Sequence, residues 1–495
     1  MLIRPRDGRH APLAGRLTGW SPAEATGRLI ATDIVLDWRP ELERGGCARA
    51  LVLTAANLIV RFCPALRVAP RSPFADEVAA LLQAIDSSAT PFAPVGPGAL
   101  HVHLGGGERA TVTASADGWT AHVSGEGDVL PPLVEDGNVL GAHAAAAFAA
   151  SQVFVRALAV DPRIAGPSPA TSYSLLTYGP AAGPTPRLGP IELAGPALLA
   201  GTGAVGQACA DVLVSARVAG DLWVVDCGSI DDVTNLNRSV LAIERDLDEV
   251  TPKVRLAARR AEGSELHVIP RHEMIAEVVQ AIEGGSAPWP RAVLSALDNW
   301  DARREVQGLW PDLVLEGTTG DTMAQVFRHA HGQPTACLRC LHEDRSRADY
   351  IDHMALVTGL APDRILAALA GHDDSALVPD DLARMPPGVR DGAAAAPGRD
   401  LCGFLSDVER YVGRQGSEEV QLSVSFTSYL AGTFLAAELI KASAGVSTPL
   451  AGRYQIDPLA DLVPAPPFAQ RPSPSCTCVT RAGLVENLRT RLGSR

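Results

Sequence analysis

The residues Ile191-Glu-Leu-Ala-Gly-Pro-Ala-Leu-Leu-Ala200, Gly201-Thr-Gly203-Ala-Val-Gly206, the apolar run from Gln207 to Ala219 and then Asp221-Leu-Trp-Val-Val-Asp226 decide how this chain is read. A short apolar strand, three glycines at a tight turn and the start of an apolar helix make a place where an anion can approach the backbone. Glycine removes the side chain that would hold a ligand off. The unpaired N–H groups and the helix dipole then attract negative charge. Asp226 closes the next strand, where a carboxylate can accept hydrogen bonds from a ribose. Alone, the pattern suits any dinucleotide-binding fold.

The residues beyond Asp226 narrow it. The chain continues Ser229-Ile-Asp-Asp-Val-Thr-Asn235-Leu-Asn237-Arg238-Ser239, then Thr251-Pro-Lys253-Val. A nicotinamide site has little use for an arginine and a lysine just past its ribose carboxylate. A triphosphate does, because charge builds on the phosphoryl oxygens and pyrophosphate must be stabilised as it leaves. Leu294-Ser-Ala-Leu-Asp298-Asn299 ends another apolar strand on an acid placed to help hold Mg²⁺. Each residue also has an ordinary reading: Asp226 as a loop cap, Arg238 in a surface ion pair, Lys253 on a solvated helix, Asp298 in an Asx-type turn. Arg303 and Arg304 either reach the same phosphates or face water. In this order behind a glycine loop, the set reads as ATP chemistry.

The glycine loop, Asp226, Asn235-Leu-Asn-Arg238, Lys253 and Asp298-Asn299 together resemble the ThiF/MoeB/HesA family, which includes the ubiquitin-activating enzymes. The resemblance spans roughly residues 188–479. It implies that Gly201, Gly203 and Gly206 admit the phosphates, that Asp226 anchors the ribose, and that Asn235, Arg238 and Lys253 stabilise developing charge, with Asp298 on Mg²⁺. The implied activity is adenylation of the C-terminal carboxylate of a ubiquitin-like protein ending in glycine. In such families an arginine from a partner subunit completes the site; Arg4, Arg6 and Arg39 are the candidates in the first half.

With 495 residues, the chain is long enough for two or three domains with sizeable cores. A net charge of −13 argues against nucleic acid or an anionic membrane as partner. The N-terminus lacks a signal-peptide core and no apolar run suffices to span a bilayer, so the expected location is cytoplasmic. Nine cysteines, several in close pairs, then favour metal binding or catalysis over disulfides.

The second half alternates strand and helix to about Leu297, as a doubly wound, Rossmann-like, mostly parallel α/β sheet does. The first half, 1–185, has no intact glycine loop. It offers strands at Ala50-Leu-Val-Leu-Thr54 and Leu100-His-Val-His-Leu104, strand-like alternation from Ala110 to Val123, and helices from Phe74 to Ile85 and Ala142 to Ala159. The last carries Phe148-Ala-Ala-Ser-Gln152-Val-Phe154, which has a counterpart in Phe434-Leu-Ala-Ala-Glu438-Leu-Ile440. Two alanine-rich helices can look alike by chance. Otherwise they mark an internal duplication, and the resemblance implies a degenerate, inactive adenylation-like domain paired with an active one at 186–495. The Pro- and Gly-rich residues 167–190 read as the linker, and residues of about 343–410 as an inserted segment.

Cys337-Leu-Arg-Cys340 and Cys476-Thr-Cys478 offer four thiolates, which suit tetrahedral Zn²⁺. Family members commonly carry two Cys-x-x-Cys pairs; the second here is Cys-x-Cys, and His342 is a possible substitute ligand. Four ordinary cysteines are the alternative. Cys402, in Arg399-Asp400-Leu-Cys402-Gly-Phe, follows a Pro/Gly/Ala-rich loop. There the resemblance implies a thioester cysteine that passes the small protein to an E2-like partner. A buried cysteine acting as a small hydrophobe is the bland reading. Cys209 and Cys227 read as core. The resulting reading is an E1-like activating enzyme of a bacterial ubiquitin-like conjugation system, with antiviral defence as a setting. Sulfur-carrier adenylation for thiamine or molybdenum-cofactor synthesis, with a possible homodimer, and a non-catalytic nucleotide scaffold are the rivals.

Overall fold

The computed structural model describes residues 10–160, 168–181, 183, 185–320, 322–342, 347–369, 377–386, 389–390, 424–460 and 467–493. Residue contacts divide the chain into Met1–His342 with Leu422–Arg495, and Glu343–Gln421.

In the larger unit, α1 (Ala11–Thr18) and α2 (Pro22–Ala31) lead into β1 (Ile34–Trp38), α3 (Gly46–Val60), β2 (Leu66–Val68) and α4 (Pro73–Ile85). Next come β3 (Leu100–Leu104), β4 (Val112–Asp117), β5 (Thr120–Ser124), α5 (Leu140–Leu158), β6 (Thr171–Ser174) and β7 (Gly179–Pro180). The strands form one sheet in the order β2-β1-β3-β4-β5-β6-β7, parallel as far as β4 and antiparallel beyond.

Two expectations fail here. Ala50–Thr54 lies inside α3, not in a strand. A short apolar run does not separate a buried helix from a buried strand, and α3 packs along α5 with most of its surface covered. Residues 167–190 are more than a linker, because β6 and β7 complete the first sheet. Tyr173 and Tyr178 are buried there against Phe148, Phe434 and Tyr454.

The second half contributes β8 (Ile191–Glu192), β9 (Ala197–Ala200), α6 (Ala204–Ser215), β10 (Val218–Val225), a 3₁₀ turn (Val233–Asn237), α7 (Glu244–Asp248), α8 (Lys253–Ala261) and β11 (Leu266–Arg271). Then follow α9 (Ile275–Gly284), β12 (Ala292–Ser295), α10 (Trp300–Gln307), β13 (Leu313–Gly320), β14 (Met323–Ala330) and α11 (Leu338–Leu341). In the smaller unit, α12 (Arg347–Thr358), α13 (Pro362–Leu369) and α14 (Pro379–Arg384) gather around Met354, Leu360, Ile365 and Met385. The larger unit resumes with α15 (Ser425–Ser443), β15 (Arg453–Ile456), α16 (Thr477–Thr480) and α17 (Ala482–Gly493). Its second sheet runs β11-β10-β9-β12-β13-β14-β15, parallel through β13, with β8 beside β10. This is a doubly wound, Rossmann-like, mostly parallel α/β arrangement.

The same succession runs through both halves. β1-α3-β2, then β3, β4, β5, α5 and β6, matches β9-α6-β10, then β12, β13, β14, α15 and β15, with no counterpart of β11 in the first sheet. α5 and α15 each have 19 residues and pack on one another. One apolar core passes through both halves; Phe62, Phe154 and Phe426 meet edge-on with centroids 5.3–6.2 Å apart.

A buried polar chain also joins them. Asp211 of α6 pairs with Arg260 of α8 at 2.6 Å and accepts from the Tyr429 hydroxyl of α15. Tyr429 Oη and Thr54 Oγ1 lie 2.8 and 3.0 Å from His143 Nδ1 on α5. Since Tyr429 gives its proton to Asp211, His143 donates through Nδ1 and its Nε2 is left bare. Burial pushes His143 down to about 4, so the ring is neutral. No described helix is long and apolar enough to cross a membrane.

Candidate functional site

The turn between β9 and α6 exists only with glycine. Gly201 has φ +89°, and a Cβ there would sit 2.7 Å from the Ala296 carbonyl oxygen; one on Gly206 would sit 2.1 Å from that of Gly201. At Gly203, the N-cap of α6, a Cβ would meet nothing within 4 Å, and no side chain caps the helix. The first turn of α6 thus carries no side-chain cap, the arrangement an anion needs.

Asp226 braces this turn. Its Oδ2 accepts from Thr202 N–H at 2.6 Å and its Oδ1 from Gly228 N–H at 2.7 Å. Lys253, at the start of α8, donates its backbone N–H to Gly228 O at 3.0 Å. Its Nζ and Asp226 Oδ1 both converge on Gly228, 2.9 and 3.1 Å from where a Cβ would be. A lysine, a carboxylate and a glycine loop thus share one crevice at the carboxyl ends of β9 and β10, where open α/β sheets bind ligands.

The 235–242 segment is tied to the loop by Gln207. Its Nε2 donates to Thr202 O at 3.0 Å and its Oε1 accepts from Leu241 N–H at 3.1 Å. Asn235 is buried in the 3₁₀ turn and Arg238, half-buried, ends it. Behind the segment lies Arg61, a wholly buried residue from the end of α3. It donates to Leu236 O, to Val240 O (2.9 Å) and to Ala242 O (3.1 Å), while Asn57 Nδ2 also donates to Val240 O. Asp298 stands exposed just past Leu297, whose N–H lies against Gly201. Asn299 takes the Asx role, accepting from Asp301 and Ala302 N–H to cap α10. Arg303 neither faces water nor is free for phosphate. It donates to Leu297 O and pairs with buried Glu316 at 3.3 Å.

The matching place in the first half is closed. There the carboxylate of Glu135 sits on the N-terminus of α3, accepting from Cys47 N–H (2.9 Å) and Ala48 N–H (2.8 Å). A Cβ on Gly45 would fall 2.0 Å from it. An internal carboxylate thus takes the position that is open on α6. Burial, with Glu135 beside it, pushes the Cys47 thiol up to about 12.

Cys337, Cys340, Cys476 and Cys478 come together. Their sulfurs are 3.7 Å (337–340), 3.8 Å (337–476) and 3.4 Å (340–478) apart, and all four lie within 4.8 Å of one another. Four thiolates about 2.3 Å from a tetrahedral Zn²⁺ would be about 3.8 Å apart, so the donor set fits the ion. The Cys-x-Cys pair reaches the cluster because Cys476 is the N-cap of α16 and Cys478 lies inside it. His342 is occupied elsewhere, with Nε2 3.0 Å from Glu316. Burial pushes the Cys478 thiol up to about 12, while its hydrogen bond with Cys337 lowers Cys340. Cys209 is core, as expected, but Cys227 is exposed, because β10 ends at Val225 and the chain turns outward. Cys402, Arg4 and Arg6 lie outside the described residues. Arg39 stands by Gly107 in the first sheet.

Sequence reasoning missed Arg61, Gln207 and Glu135. For the first two there was a signal: a lone polar side chain next to glycine in an apolar helix, and an arginine inside Leu58-Ile-Val-Arg61-Phe-Cys63. Glu135 gave none.

The ThiF family profile matches residues 194–478. The uncharacterised protein y4jF of Sinorhizobium fredii is 26% identical over 438 residues, covering 81% of this chain and 80% of its own. Among solved structures, E. coli MccB with ATP is 17% identical over 58% of this chain and 66% of that one, just under two thirds, with a TM-score of 0.37. PaaA is 15% identical over 53% and 69%, at 0.31. The match to the family profile runs from just before β9 to Cys478, through the glycine turn, Asp226, Lys253 and all four clustered cysteines, and the chain belongs to the ThiF family.

Proposed function

We propose that residues 186–495 bind MgATP and adenylate the C-terminal carboxylate of a small ubiquitin-like protein ending in glycine, with residues 1–185 as a degenerate adenylation-like partner. The observation that carries this reading is the uncapped N-terminus of α6 beside Asp226 and Lys253, set against the α3 N-terminus that Glu135 fills. The phosphates lie against Gly201, Gly203 and Gly206, with Asp226 bracing the loop and offering its remaining lone pairs to the ribose. A carboxylate oxygen of the small protein attacks the α-phosphorus, the bond to the bridging oxygen breaks, and pyrophosphate leaves. Asn235, Arg238 and Lys253 stabilise that charge, and Asp298 helps hold Mg²⁺. The Cys402 thiolate then attacks the acyl carbon, AMP departs, and the thioester is passed to an E2-like protein. The four cysteines hold Zn²⁺ as a structural ion.

Pyrophosphate exchange into ATP tests the first step. It should require a glycine-ended small protein and fall roughly a hundredfold in Lys253→Ala. Exchange that is indifferent to Lys253 would remove the reading. A reducible adduct that forms in the parent and is absent in Cys402→Ala tests the second step; if none forms, adenylation stands alone.

A further inference from the structure

The first sheet carries a convergence of donors that the nucleotide reading does not use. Asp37 and His103 are register partners at the carboxyl ends of the neighbouring parallel strands β1 and β3. β1 leads through α3 to β2 on one side, while β3 lies on the other, so the crevice between them is this sheet's topological switch point. The equivalent place in the second sheet is the one between β9 and β12, where the glycine turn and Asp298 stand.

Glu108 is brought to the crevice by three successive left-handed glycines, Gly105, Gly106 and Gly107, at φ +109°, +70° and +85°. The turn is pinned by Gly105 N–H on Ala114 O (2.8 Å) and Gly107 N–H on Leu130 O (3.0 Å). A Cβ on Gly106 would fall 2.1 Å from Pro131 O, so no other residue fits.

His103 is buried at 3% exposure, and its Nε2 lies 3.3 Å from Gly106 O. An Nε2–H donated to that carbonyl leaves the Nδ1 lone pair aimed at Asp37 Oδ2 (3.8 Å) and Glu108 Oε2 (4.0 Å). A backbone carbonyl fixing the far nitrogen of an imidazole is the usual support of a metal-ligating histidine. Three electron-pair donors, two of them charged, face one another and repel unless a cation lies between them. The separations lie between the spacings of about 3.0 Å for ligands at right angles and about 4.2 Å for opposed ligands around an ion bound at about 2.1 Å. The Asp37 and Glu108 side chains are 45% and 55% exposed, which leaves further coordination positions open.

The geometry points to a second metal site: a divalent cation of the zinc or manganese class, held by Asp37, His103 and Glu108 in the crevice of the first sheet, with positions open to water or a ligand oxygen. One nitrogen and two carboxylates suit Zn²⁺, Mn²⁺ or Fe²⁺, whereas the four thiolates select the softer end and leave Mn²⁺ alone. The site stands independently of what the second half does.

Titration of the full chain with Mn²⁺ alone, without nucleotide, reads it through the electron paramagnetic resonance signal of the free ion. One equivalent should bind, zinc should displace it, and both His103→Ala and Glu108→Gln should weaken it at least tenfold. Glu108 is exposed, so its variant keeps the fold should the histidine change disturb it. A wild-type chain that takes neither Mn²⁺ nor any zinc beyond the cysteine-held equivalent overturns the assignment. So does undiminished binding in Glu108→Gln.

Discussion

Replacing Arg61 with methionine keeps most of its volume and removes its charge and donors. The guanidinium is wholly buried and serves Leu236 O, Val240 O and Ala242 O, with its Nε on Asn57 Oδ1 at 2.9 Å. Hydrogen bonds from a charged donor contribute about 1.5–3 kcal/mol each. Because one group makes all of them the terms do not add, and the cost of leaving buried neutral carbonyls unpaired, about 1–3 kcal/mol, is the better figure. Arg61→Met should therefore unfold at a clearly lower urea concentration. Under conditions where it is folded, its apparent KM for ATP in pyrophosphate exchange should rise at least tenfold, since the 3₁₀ turn bearing Asn235 and Arg238 loses its backing. Arg49→Ala is the control: the same helix, but a surface pair with Glu77 at 2.7 Å, with both side chains more than a third exposed and a contribution of about 0–1 kcal/mol. An Arg61→Met protein that unfolds like the parent would refute the energetic argument. One that is destabilised but keeps its parent KM would refute the claim that the first half positions the second half's loop.

Three further outcomes follow from the same geometry. Cys337→Ser should lose the bound zinc seen by elemental analysis and melt well below the parent, since a structural zinc site contributes on the order of 10 kcal/mol; an equal melting temperature would mean that the cluster holds no ion. Glu135→Gln should cost about 1–2 kcal/mol in urea, because the α3 N-terminus loses a charged cap, and an unchanged midpoint would show that cap to be idle. For His143, the folded ring sits at about 4 against an ordinary 6.5, so below pH 6.5 the unfolded chain takes a proton that the folded one refuses. Stability from this group is whole above pH 6.5 and falls by roughly 3 kcal/mol as pH drops to about 4. His143→Gln should flatten that part of the urea-midpoint profile, and an equally steep profile would point to other groups.

What could be read from the sequence was what depends on neighbours along the chain. The glycine turn, the strand ending at Asp226 and the two long alanine-rich helices are written in local pattern, and α6, β10, α5 and α15 lie where that pattern puts them to within a few residues. The cysteine pairs were legible because each places two sulfurs on one turn. What failed were apolar stretches whose partner decides their state. Ala50–Thr54 has strand-like composition, but α5 covers it as a helix. The polar residues 167–190 hide β6 and the edge strand β7 because few of their side chains are buried, Tyr173 and Tyr178 the largest of them. Cys227 was placed inside by its apolar neighbours, and only the end of β10 shows the chain leaving the sheet. Long-range polar partners were the least visible: nothing near Glu135 announces Gly45, and nothing near Arg61 announces Leu236.

The two halves make opposite use of the same crevice, and the difference does not lie in glycine count. Gly45 and Gly46 stand at the start of α3 much as Gly201 and Gly203 stand before α6, so glycine alone would grant both helices an anion site. The decision rests on what already occupies the first N–H groups. On α3 a carboxylate from the same chain satisfies two of them, and a phosphate arriving there would have to displace a charged, hydrogen-bonded group. On α6 the nearby carboxylate, Asp226, binds instead to the N–H groups of Thr202 and Gly228, at the edge of the turn, and leaves the helix without a side-chain cap. With its helix end closed, the first crevice presents carboxylates and an imidazole rather than bare N–H groups. Its electrostatics are thereby inverted, from a place that attracts anions to one that attracts a cation.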